Sequence, residues 1–279
     1  MPTKILAKES LIPGKTSKLV LEAPHIAATA KPGHFVILRV NDHGERIPLT
    51  IADTDKQNGT ITIVYLVLGK TTGLLERLGA GDTIHDVCGP CGHHTHIEKK
   101  GTVICVGGGT GIAAMHHIAK GHVEIGNRVL GIIGARSHDL LLFEKELSAL
   151  VDTLYITTDD GSYKRKGLVT DVLTELIEQE KDVFEVVGVG PVPMMAAVAK
   201  ATKPYGIKTT VSLNPIMVDG IGMCGACRVT VGGKTKFACV DGPEFDGHQV
   251  DFDELKIRLS AYRAQEKISL QTLEENHGN

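Results

Sequence analysis

The residues best suited to redox chemistry stand close together near the carboxyl end of the sequence. Asp219, Cys224, Cys227 and Cys239 follow the spacing D-x4-C-x2-C-x11-C. A [2Fe–2S] cluster is commonly held by C-x4-C-x2-C and a distant fourth cysteine, and here an aspartate occupies the first ligand position. Three glycines lie between the aspartate and Cys227, and glycine allows a backbone to wrap closely around a cluster. The pattern predicts a [2Fe–2S] site and a chain that moves single electrons.

Two other interpretations of these cysteines stay open. Three thiols could bind a structural zinc ion, with Asp219 or His248 as the fourth ligand. Cysteine is also a small hydrophobic residue that fills protein cores without any further role. The glycine-rich segment and the four-residue gap favour the iron–sulfur interpretation.

Two other glycine-rich segments have the composition of nucleotide-binding loops. The first, at 107–114, reads GGGTGIAA, follows an apolar run and precedes a helical stretch, which is the context that a dinucleotide-binding loop requires. Backbone N–H groups at the start of that helix would hold a pyrophosphate; a tight structural turn is the alternative. The residues expected to contact the nucleotide are Gly108, Gly109, Thr110 and Gly111.

The position that usually selects the nicotinamide nucleotide is unusual. An acidic residue is expected about 20 positions after the first loop, where it would bond the ribose hydroxyls, but the sequence offers Arg136. An arginine can meet a ribose or a 2′-phosphate, so this region leaves NAD(H) and NADP(H) open. The second loop, at 188–195, ends another apolar run and is either a ligand loop or an ordinary strand-to-helix turn. Its candidate contacts are Gly188, Gly190, Pro191 and Met194.

Composition and charge argue against several classes of protein. A length of 279 residues suits two or three domains, and a net charge of −3 without a large basic run argues against nucleic-acid binding. No apolar stretch approaches the ~18 residues that a membrane span needs, and the amino-terminal segment lacks the apolar core of a signal peptide. Six cysteines in a chain of this size do not make a disulfide scaffold. We therefore expect a cytoplasmic protein.

The elements that must position these residues fall into three segments. Residues 1–98 carry short strand-like runs at 35–40, 60–68 and 83–87, separated by turn-forming residues, which is typical of an antiparallel barrel or sandwich. In residues 99–214, strands alternate with helices, which predicts a doubly wound parallel sheet. The strand-like runs are at 102–106, 128–133, 152–157, 183–187 and 209–212, and the helical ones are at 112–120, 140–150, 170–180 and 192–201.

Residues 215–279 form the third segment, with the cysteine loop and a charged tail. The tail from Phe252 to Glu275 is compatible with helix, and it either packs on the barrel or contributes to the surface that a partner contacts. The expected fold class is thus β plus α/β, with an antiparallel barrel, a doubly wound parallel nucleotide-binding sheet and a small C-terminal [2Fe–2S] domain. That the barrel is an FAD-binding barrel is what the family resemblance described next implies.

The order of the motifs resembles that of the ferredoxin–NADP reductase superfamily. Arg46-Ile47-Pro48-Leu49-Thr50 is similar to the flavin motif of that superfamily, Arg-x-aromatic/Pro-x-Ser/Thr, and it is followed by 69–72, 89–92 and both nucleotide loops. With the cluster pattern added, nearly the whole chain resembles the small (alpha) subunits of NADH-dependent ferredoxin:NADP oxidoreductase, or sulfide dehydrogenase subunits. The electron-transfer subunit of dihydroorotate dehydrogenase shares the domain plan but uses four cysteines, so Asp219 favours the first family.

The resemblance implies a role for each matching residue. Arg46 would pair with the FAD diphosphate, Pro48 and Leu49 would shape the isoalloxazine pocket, and Thr50 would be the catalytic residue, with its hydroxyl near flavin N5. The other residues of the cofactor site would be Gly69, Lys70, Thr71, Thr72, Gly89 and Gly92. The resemblance also assigns the cluster to the aspartate and three cysteines named above.

Cys91 departs from the family pattern, since relatives often carry an apolar residue at this position. Together with Cys88 it forms a C-x-x-C pair, and a redox-active dithiol is an alternative interpretation of that pair. The sequence leaves the role of Cys88 and Cys91 open.

The combined motifs imply a relay of electrons. Nicotinamides carry two electrons as hydride, iron–sulfur clusters carry one electron, and a flavin converts between the two. The resemblance implies FAD, a [2Fe–2S] cluster and NAD(H), with NADP(H) possible, and a larger flavin and iron–sulfur subunit as the partner in a heterodimer that reaches ferredoxin indirectly. A self-contained reductase and a nucleotide-sensing module with a structural zinc are the other classes that stay open.

Overall fold

Alternating apolar residues fold the amino-terminal part of the chain into an antiparallel sheet. Its strands are β1 (Thr3–Ile12), β2 (Thr16–Glu22), β3 (Phe35–Arg39), β4 (Arg46–Asp55), β5 (Thr60–Leu66), β6 (Thr83–Ile84) and β7 (Asp86–Cys91). In the computed structural model, which describes residues 2–275, they pair in the order β6-β1-β2-β5-β4-β3-β7. Only His85 separates the two edge strands in sequence, so the sheet curls into a nearly closed barrel.

The barrel core consists of every second residue of its long strands. Leu19 and Leu21 of β2 and Ile61 and Ile63 of β5 are fully buried in one apolar cluster, as the two-residue period of a strand requires. Two short helices, α1 (Pro24–Thr29) and α2 (Lys70–Arg77), complete this part of the chain. The amino end of α2 opens toward the second sheet.

The second sheet is parallel in its centre and carries helices on both faces. Its strands are β8 (Thr102–Gly108), β9 (Arg128–Ala135), β10 (Thr153–Thr158), β11 (Arg165–Lys166), β12 (Val183–Val189) and β13 (Lys208–Ser212). The helices are α3 (Gly111–Glu124), α4 (Glu144–Leu150), α5 (Val169–Gln179) and α6 (Val192–Thr202). All seven residues of β8 are buried, because helices cover both faces of this central strand.

The carboxyl-terminal segment contributes to two of these layers. It contains the hairpin β14 (Arg228–Val231) and β15 (Lys234–Phe237), then α7 (Ala238–Asp241), β16 (Glu244–Asp246), α8 (Phe252–Leu259) and α9 (Arg263–Glu275). The full order of the second sheet is β11-β10-β9-β8-β12-β13-β16, and β16 runs antiparallel to β13. The sheet therefore takes an edge strand from beyond residue 214, and the domain boundaries at 98 and 214 stay a prediction.

The barrel and the parallel sheet are held together through α3. His117 Nδ1 lies 2.9 Å from the Ile51 carbonyl oxygen of β4, and Lys120 Nζ lies 2.9 Å from Asp53 Oδ1. Ala113 of α3 also packs with Ala52 and Val64 of the barrel. The barrel and the parallel sheet are thus joined along α3, and a cleft opens beside this contact, lined in part by the same three residues.

The fold class expected from the sequence is confirmed, with small differences in its elements. The expected helix at 140–150 becomes a short 3₁₀ turn followed by α4, and the tail divides into α8 and α9. No helix within residues 2–275 is long and apolar enough to cross a membrane.

Candidate functional site

A cleft of about 1150 Å³ lies between the barrel and the carboxyl ends of the parallel strands. In the parallel sheet the strand order reverses between β8 and β12, and such a switch point is where open α/β sheets bind ligands. The predicted cofactor residues that line the cleft are Pro48, Leu49, Thr50, Gly69, Lys70, Thr71, Thr72, Gly108, Gly109, Thr110, Gly111, Arg136, Gly190, Pro191 and Met194. The structure therefore brings together segments that are far apart in the sequence.

Strand register places the flavin motif on the face of the barrel that turns toward this cleft. Thr50 of β4 stands opposite Phe35 of β3, and Pro48 stands opposite Ile37. Directly opposed residues of antiparallel strands share a face, and Arg46 shares it too because strand side chains alternate. Thr50 and Pro48 thus face the same side as Arg46, as an Arg-x-Pro-x-Thr flavin motif requires.

The side chain of Arg46 has a buried donor without a partner. Its Nε is buried and makes no hydrogen bond among the described residues, while its Nη2 lies 3.6 Å from the Cys88 sulfur. Burying an unpaired charged donor is costly. An anion such as a flavin diphosphate would satisfy this donor, so Arg46 fits FAD although it lies outside the residues that line the cleft.

The first turn of α2 offers a second place for a phosphate. The hydroxyl of Thr72 accepts the N–H groups of Leu68 and Gly69 at 2.9 and 3.0 Å, and the hydroxyl of Thr71 donates to Glu45 Oε2 at 2.6 Å. Both hydroxyls are therefore engaged by protein groups and fix the shape of the turn. The backbone N–H groups of a first helical turn have no partner within the helix, so within the described part of the chain they and Lys70 are the groups open to an anion.

The two glycine loops touch each other at the floor of the cleft. A Cβ at Gly111 would lie 2.6 Å from the Val189 carbonyl oxygen, and one at Gly108 would lie 2.5 Å from the Met194 sulfur. Gly109 has a φ of +56°, and a Cβ there would point into open space. Side chains are thus excluded where the loops meet, and the start of α3 stays open to a nucleotide phosphate.

The nucleotide side of the cleft carries an acidic residue that the sequence reasoning missed. Asp159 follows β10 and lines the cleft, as does the exposed Arg136 after β9. The N–H of Asp159 donates to the Ala135 carbonyl oxygen at 3.1 Å, which ties the two strand ends together. The sequence does place this carboxylate directly after an apolar strand. It follows β10, however, whereas the usual dinucleotide-binding pattern puts the acidic residue after the preceding strand.

Three predicted glycines lie outside the residues that line the cleft. A Cβ at Gly89 would meet Val36 Cγ1 at 2.8 Å, and one at Gly92, where φ is +77°, would meet Phe35 at 2.8 Å and the Gly242 carbonyl oxygen at 2.9 Å. Gly188 is buried within β12. These glycines permit close packing of the protein around the cleft.

Two of the predicted cluster ligands, Cys227 and Cys239, lie side by side. The Sγ atoms of Cys227 and Cys239 are 3.2 Å apart, and each residue is 1% exposed. Burial, together with the neighbouring Cys227, raises the pKa of the Cys239 thiol. Cys224 is exposed on the adjoining loop.

Asp219 organises the loop that carries these thiols. Its carboxylate accepts hydrogen bonds from the N–H groups of Ile221 at 3.0 Å and Cys224 at 2.5 Å. These bonds lower the pKa of the carboxyl, and the bond from Ile221 has the largest effect. Asp219 is therefore a negatively charged candidate ligand for a metal. Within residues 2–275 no three His, Cys, Asp or Glu side chains converge as a metal site. The donor set nevertheless fits an iron–sulfur cluster, because thiolates are its usual ligands and positive φ angles at Gly220, Gly222 and Gly225 shape the loop around it.

One apolar wall separates the cleft from the cluster loop. Phe35 and Met217 line the cleft, and they also belong to the buried core that contains Cys227 and Cys239. Cys91 closes the same wall, since a Cβ at Gly220 would lie 3.2 Å from its sulfur. The candidate flavin and cluster sites are thus adjacent and share side chains.

Two family models match this chain. The iron-sulfur cluster binding domain of dihydroorotate dehydrogenase B matches residues 214–251, and the oxidoreductase NAD-binding domain matches residues 105–200. The first match covers the aspartate and all three cysteines of the loop, and the second covers the first glycine loop and Arg136.

Relatives cover nearly the whole chain. A solved structure of the NADH-dependent reduced ferredoxin-NADP oxidoreductase, described for its insights into flavin-based electron bifurcation, is 46% identical, covers 98% of each chain and has a TM-score of 0.92. The dihydroorotate dehydrogenase B (NAD(+)) electron transfer subunit homolog of Thermotoga maritima is 50% identical over 89% of this chain and 88% of that protein. The electron transfer subunit of Geobacillus thermodenitrificans is 34% identical over 88% and 96%, respectively.

These matches agree with the geometry of the cleft and the cysteine loop. The NAD-binding and iron–sulfur models and the fold of the solved relative support NAD(H), an iron–sulfur cluster and FAD as the cofactors of this chain. The resemblance noted from the sequence is confirmed. The chain belongs to the family of oxidoreductase electron-transfer subunits that includes those of dihydroorotate dehydrogenase B and their homologues.

Proposed function

We propose that this chain is the small subunit of an NADH-dependent ferredoxin:NADP oxidoreductase that bifurcates electrons. It passes electrons between NAD(H), FAD and a [2Fe–2S] cluster, and from there to or from a larger flavin and iron–sulfur subunit. The observation that carries the proposal is the shared wall of Phe35 and Met217, which belongs to both the cleft and the cluster core. A thiol-rich cluster site needs reducing conditions, and we propose a cytoplasmic location.

The residues of the cleft each serve one part of this chemistry. When bound, FAD exchanges hydride with a nicotinamide and single electrons with an iron–sulfur cluster. Arg46 and the first turn of α2 hold the phosphates, and Thr50 places its hydroxyl on the face that Pro48 also forms. The two glycine loops hold the nicotinamide nucleotide against that face.

The cluster loop presents an apolar surface that suits a partner subunit. Ile221 is 66% exposed and Met223 is 81% exposed, on both sides of the turn that leads to the exposed Cys224. Large apolar side chains that cluster on a surface mark sites of protein contact. We infer that the larger subunit covers this loop and thereby approaches the cluster.

Co-purification and variants of the loop test the partner. Capture of the full chain from its own cells is expected to bring a larger chain with flavin and iron–sulfur absorption. Met223→Ser should lower the affinity for that chain about tenfold, since a buried apolar anchor contributes more than 1 kcal/mol. Leu6→Ser on β1, where Leu6 is 43% exposed, is the matched control and should leave the affinity unchanged. A stable monomer with full ferredoxin-linked activity would refute the subunit role.

The nucleotide preference is tested by anaerobic reduction of the bound flavin with NADH and NADPH. We propose NAD(H), because Asp159 lines the cleft near Arg136. A carboxylate accepts hydrogen bonds from ribose hydroxyls but repels the negative charge of a 2′-phosphate. Asp159→Asn should narrow the preference for NADH by raising the rate with NADPH. A clear preference for NADPH in the unmodified chain, lost in Arg136→Ala, would assign Arg136 to a 2′-phosphate instead.

The second candidate is the electron-transfer subunit of a dihydroorotate dehydrogenase. The match of that enzyme's iron–sulfur domain to residues 214–251 favours it. The captured partner decides between the two, since only a dihydroorotate dehydrogenase complex would reduce NAD⁺ with dihydroorotate. Asp219 in place of a cysteine favours the first candidate.

A further inference from the structure

The carboxyl-terminal helix α9 lies against the helix that begins the candidate flavin site. Leu273 is buried, and a Cβ at Gly73 of α2 would lie 3.3 Å from its Cδ2 atom. α2 is also the helix whose first turn lines the cleft. The tail thus packs on its own barrel, next to the place where the pyrophosphate is expected.

Glu266 extends this contact into the cleft. It precedes Leu273 by seven residues, which is about two helical turns, so the two side chains leave the same face of α9. Glu266 lines the cleft, whereas Ile268, at 63% exposed, lies on another face of the helix. α9 therefore forms part of the wall of the cleft through one acidic side chain.

The surroundings of this wall suit a nucleoside. Leu66 and Leu68 line the same cleft and are 41% and 76% exposed. Small-molecule sites are lined mostly by apolar side chains, and these two leucines can cover the face of a purine ring. A carboxylate repels a pyrophosphate, but it accepts hydrogen bonds from the two hydroxyls of a ribose.

We propose that Leu66, Leu68 and Glu266 form the adenosine site of FAD, with the Glu266 carboxylate accepting hydrogen bonds from the ribose hydroxyls. The inference rests on the proposed function, because it takes FAD as the flavin. It also gives α9 a role in holding the cofactor, beside or in place of contact with a partner.

Flavin titration of the full chain, stripped of its flavin, tests the proposal. FAD carries the adenosine and FMN lacks it, so Glu266→Gln should raise the Kd for FAD about tenfold and leave the Kd for FMN unchanged. Glu274→Gln, on an exposed position of the same helix, should change neither value. Leu68→Ser is a second variant, and it should also raise the Kd for FAD more than the Kd for FMN.

Each other outcome overturns the assignment. An equal loss for both flavins, with a lower temperature of thermal unfolding, would make Glu266 a structural residue. An unchanged Kd for FAD would place it outside the cofactor site. If the unmodified chain binds neither flavin, the proposed function itself fails, and that result is distinct from the two preceding ones.

Discussion

Arg46 shows how one side chain links the barrel to an anionic cofactor. Among residues 2–275 its buried Nε has no hydrogen-bond partner, and its Nη2 lies 3.6 Å from the Cys88 sulfur. Burial of a charged N–H without a partner is costly, and an anion that pairs with it removes that cost. The position is thus better explained by a bound phosphate than by the stability of the barrel.

Arg46→Ala is expected to weaken FAD binding tenfold to a hundredfold. A hydrogen bond to a charged group contributes about 1.5–3 kcal/mol, and each 1.4 kcal/mol changes an equilibrium tenfold. Equilibrium dialysis of FAD against the full chain measures the effect. Arg77→Ala, on the exposed end of α2, is the control; an equal loss in both variants would contradict a direct phosphate contact.

Cys227→Ala is expected to remove the cluster and leave FAD bound. Cys227 and Cys239 face each other at 3.2 Å, and loss of either thiolate leaves too few ligands. Iron and sulfide content and the visible spectrum measure the outcome. Asp219→Cys should still assemble a cluster, since the position needs an anionic donor, but with a different potential.

Cys91→Ala is the matched control for the cluster ligands. Cys91 lies against the cluster loop, and burial raises the pKa of its thiol. We expect normal iron and sulfide content in this variant. Loss of the cluster in Cys91→Ala but not in Asp219→Ala would show that the barrel supplies the fourth ligand.

Some site residues could be predicted from the sequence, and others could not. Ligand spacing is local, so the sequence alone predicts Asp219 and the three cysteines as cluster ligands, and this assignment stays a prediction. Asp159 was missed, because its place in the cleft depends on how β10 lies beside β9. Glu266 was missed for the same reason, since its contact with the cleft comes from the packing of α9 on α2.

At the scale of elements, the two glycine loops depend on each other. Gly111 opens α3 and lies so close to the end of β12 that a Cβ would be 2.6 Å from the Val189 carbonyl oxygen. Backbone atoms cannot rotate aside as a flexible side chain can. The strand-to-helix turn after β8 is therefore shaped by the turn after β12.

Gly111→Ala is expected to push the two loops apart. Overpacking of this kind costs about 1–3 kcal/mol, and the affinity for NADH should fall on the order of tenfold because the pyrophosphate site deforms. Urea unfolding and NADH titration measure the two effects. Gly79→Ala in the barrel, where the nearest atom is 3.9 Å away, should change neither.

Elements of the parallel sheet were easier to predict than those of the barrel. The expected helix at 192–201 is observed at Val192–Thr202, and the expected strand at 183–187 is observed at Val183–Val189. Long apolar periods specify such elements locally. The expected strand at 83–87 divides at His85 into β6 and β7, because closure of the barrel sends its two halves to opposite edges.

At the scale of the whole molecule, Glu244 joins the three parts of the chain. It lies in β16, at the edge of the parallel sheet, and accepts a hydrogen bond from Thr95 after the barrel at 2.7 Å. Burial raises the pKa of its carboxyl to about 7; the bond from Thr95 opposes this shift, and the charge of Glu185 adds to it.

This carboxyl makes stability depend on pH. Its pKa in the folded state, about 7, lies above the ordinary value of 4.5, so the folded chain holds the proton more tightly than the unfolded chain. The free energy of unfolding should therefore decrease as the pH rises from about 4.5 to about 7, and stay low above that.

Glu244→Gln should remove this dependence while keeping an oxygen for Thr95. We expect the variant to be more stable than the unmodified chain at about pH 8, by at most about 3 kcal/mol, and no more stable below about pH 4.5. Urea unfolding at both values measures the difference. If the free energy of unfolding of the variant rises by the same amount at both pH values, the effect is not due to titration of Glu244.

The wall of Phe35 and Met217 has a consequence for how electrons move within the chain. These side chains belong to one buried core together with the cluster cysteines, so the separation of the two redox centres is built in when the chain folds. No swinging arm or repeated docking is needed between them. The rate of electron transfer inside the subunit should therefore not depend on diffusion. Diffusion and collision govern only the arrival of the nicotinamide and the assembly with a partner.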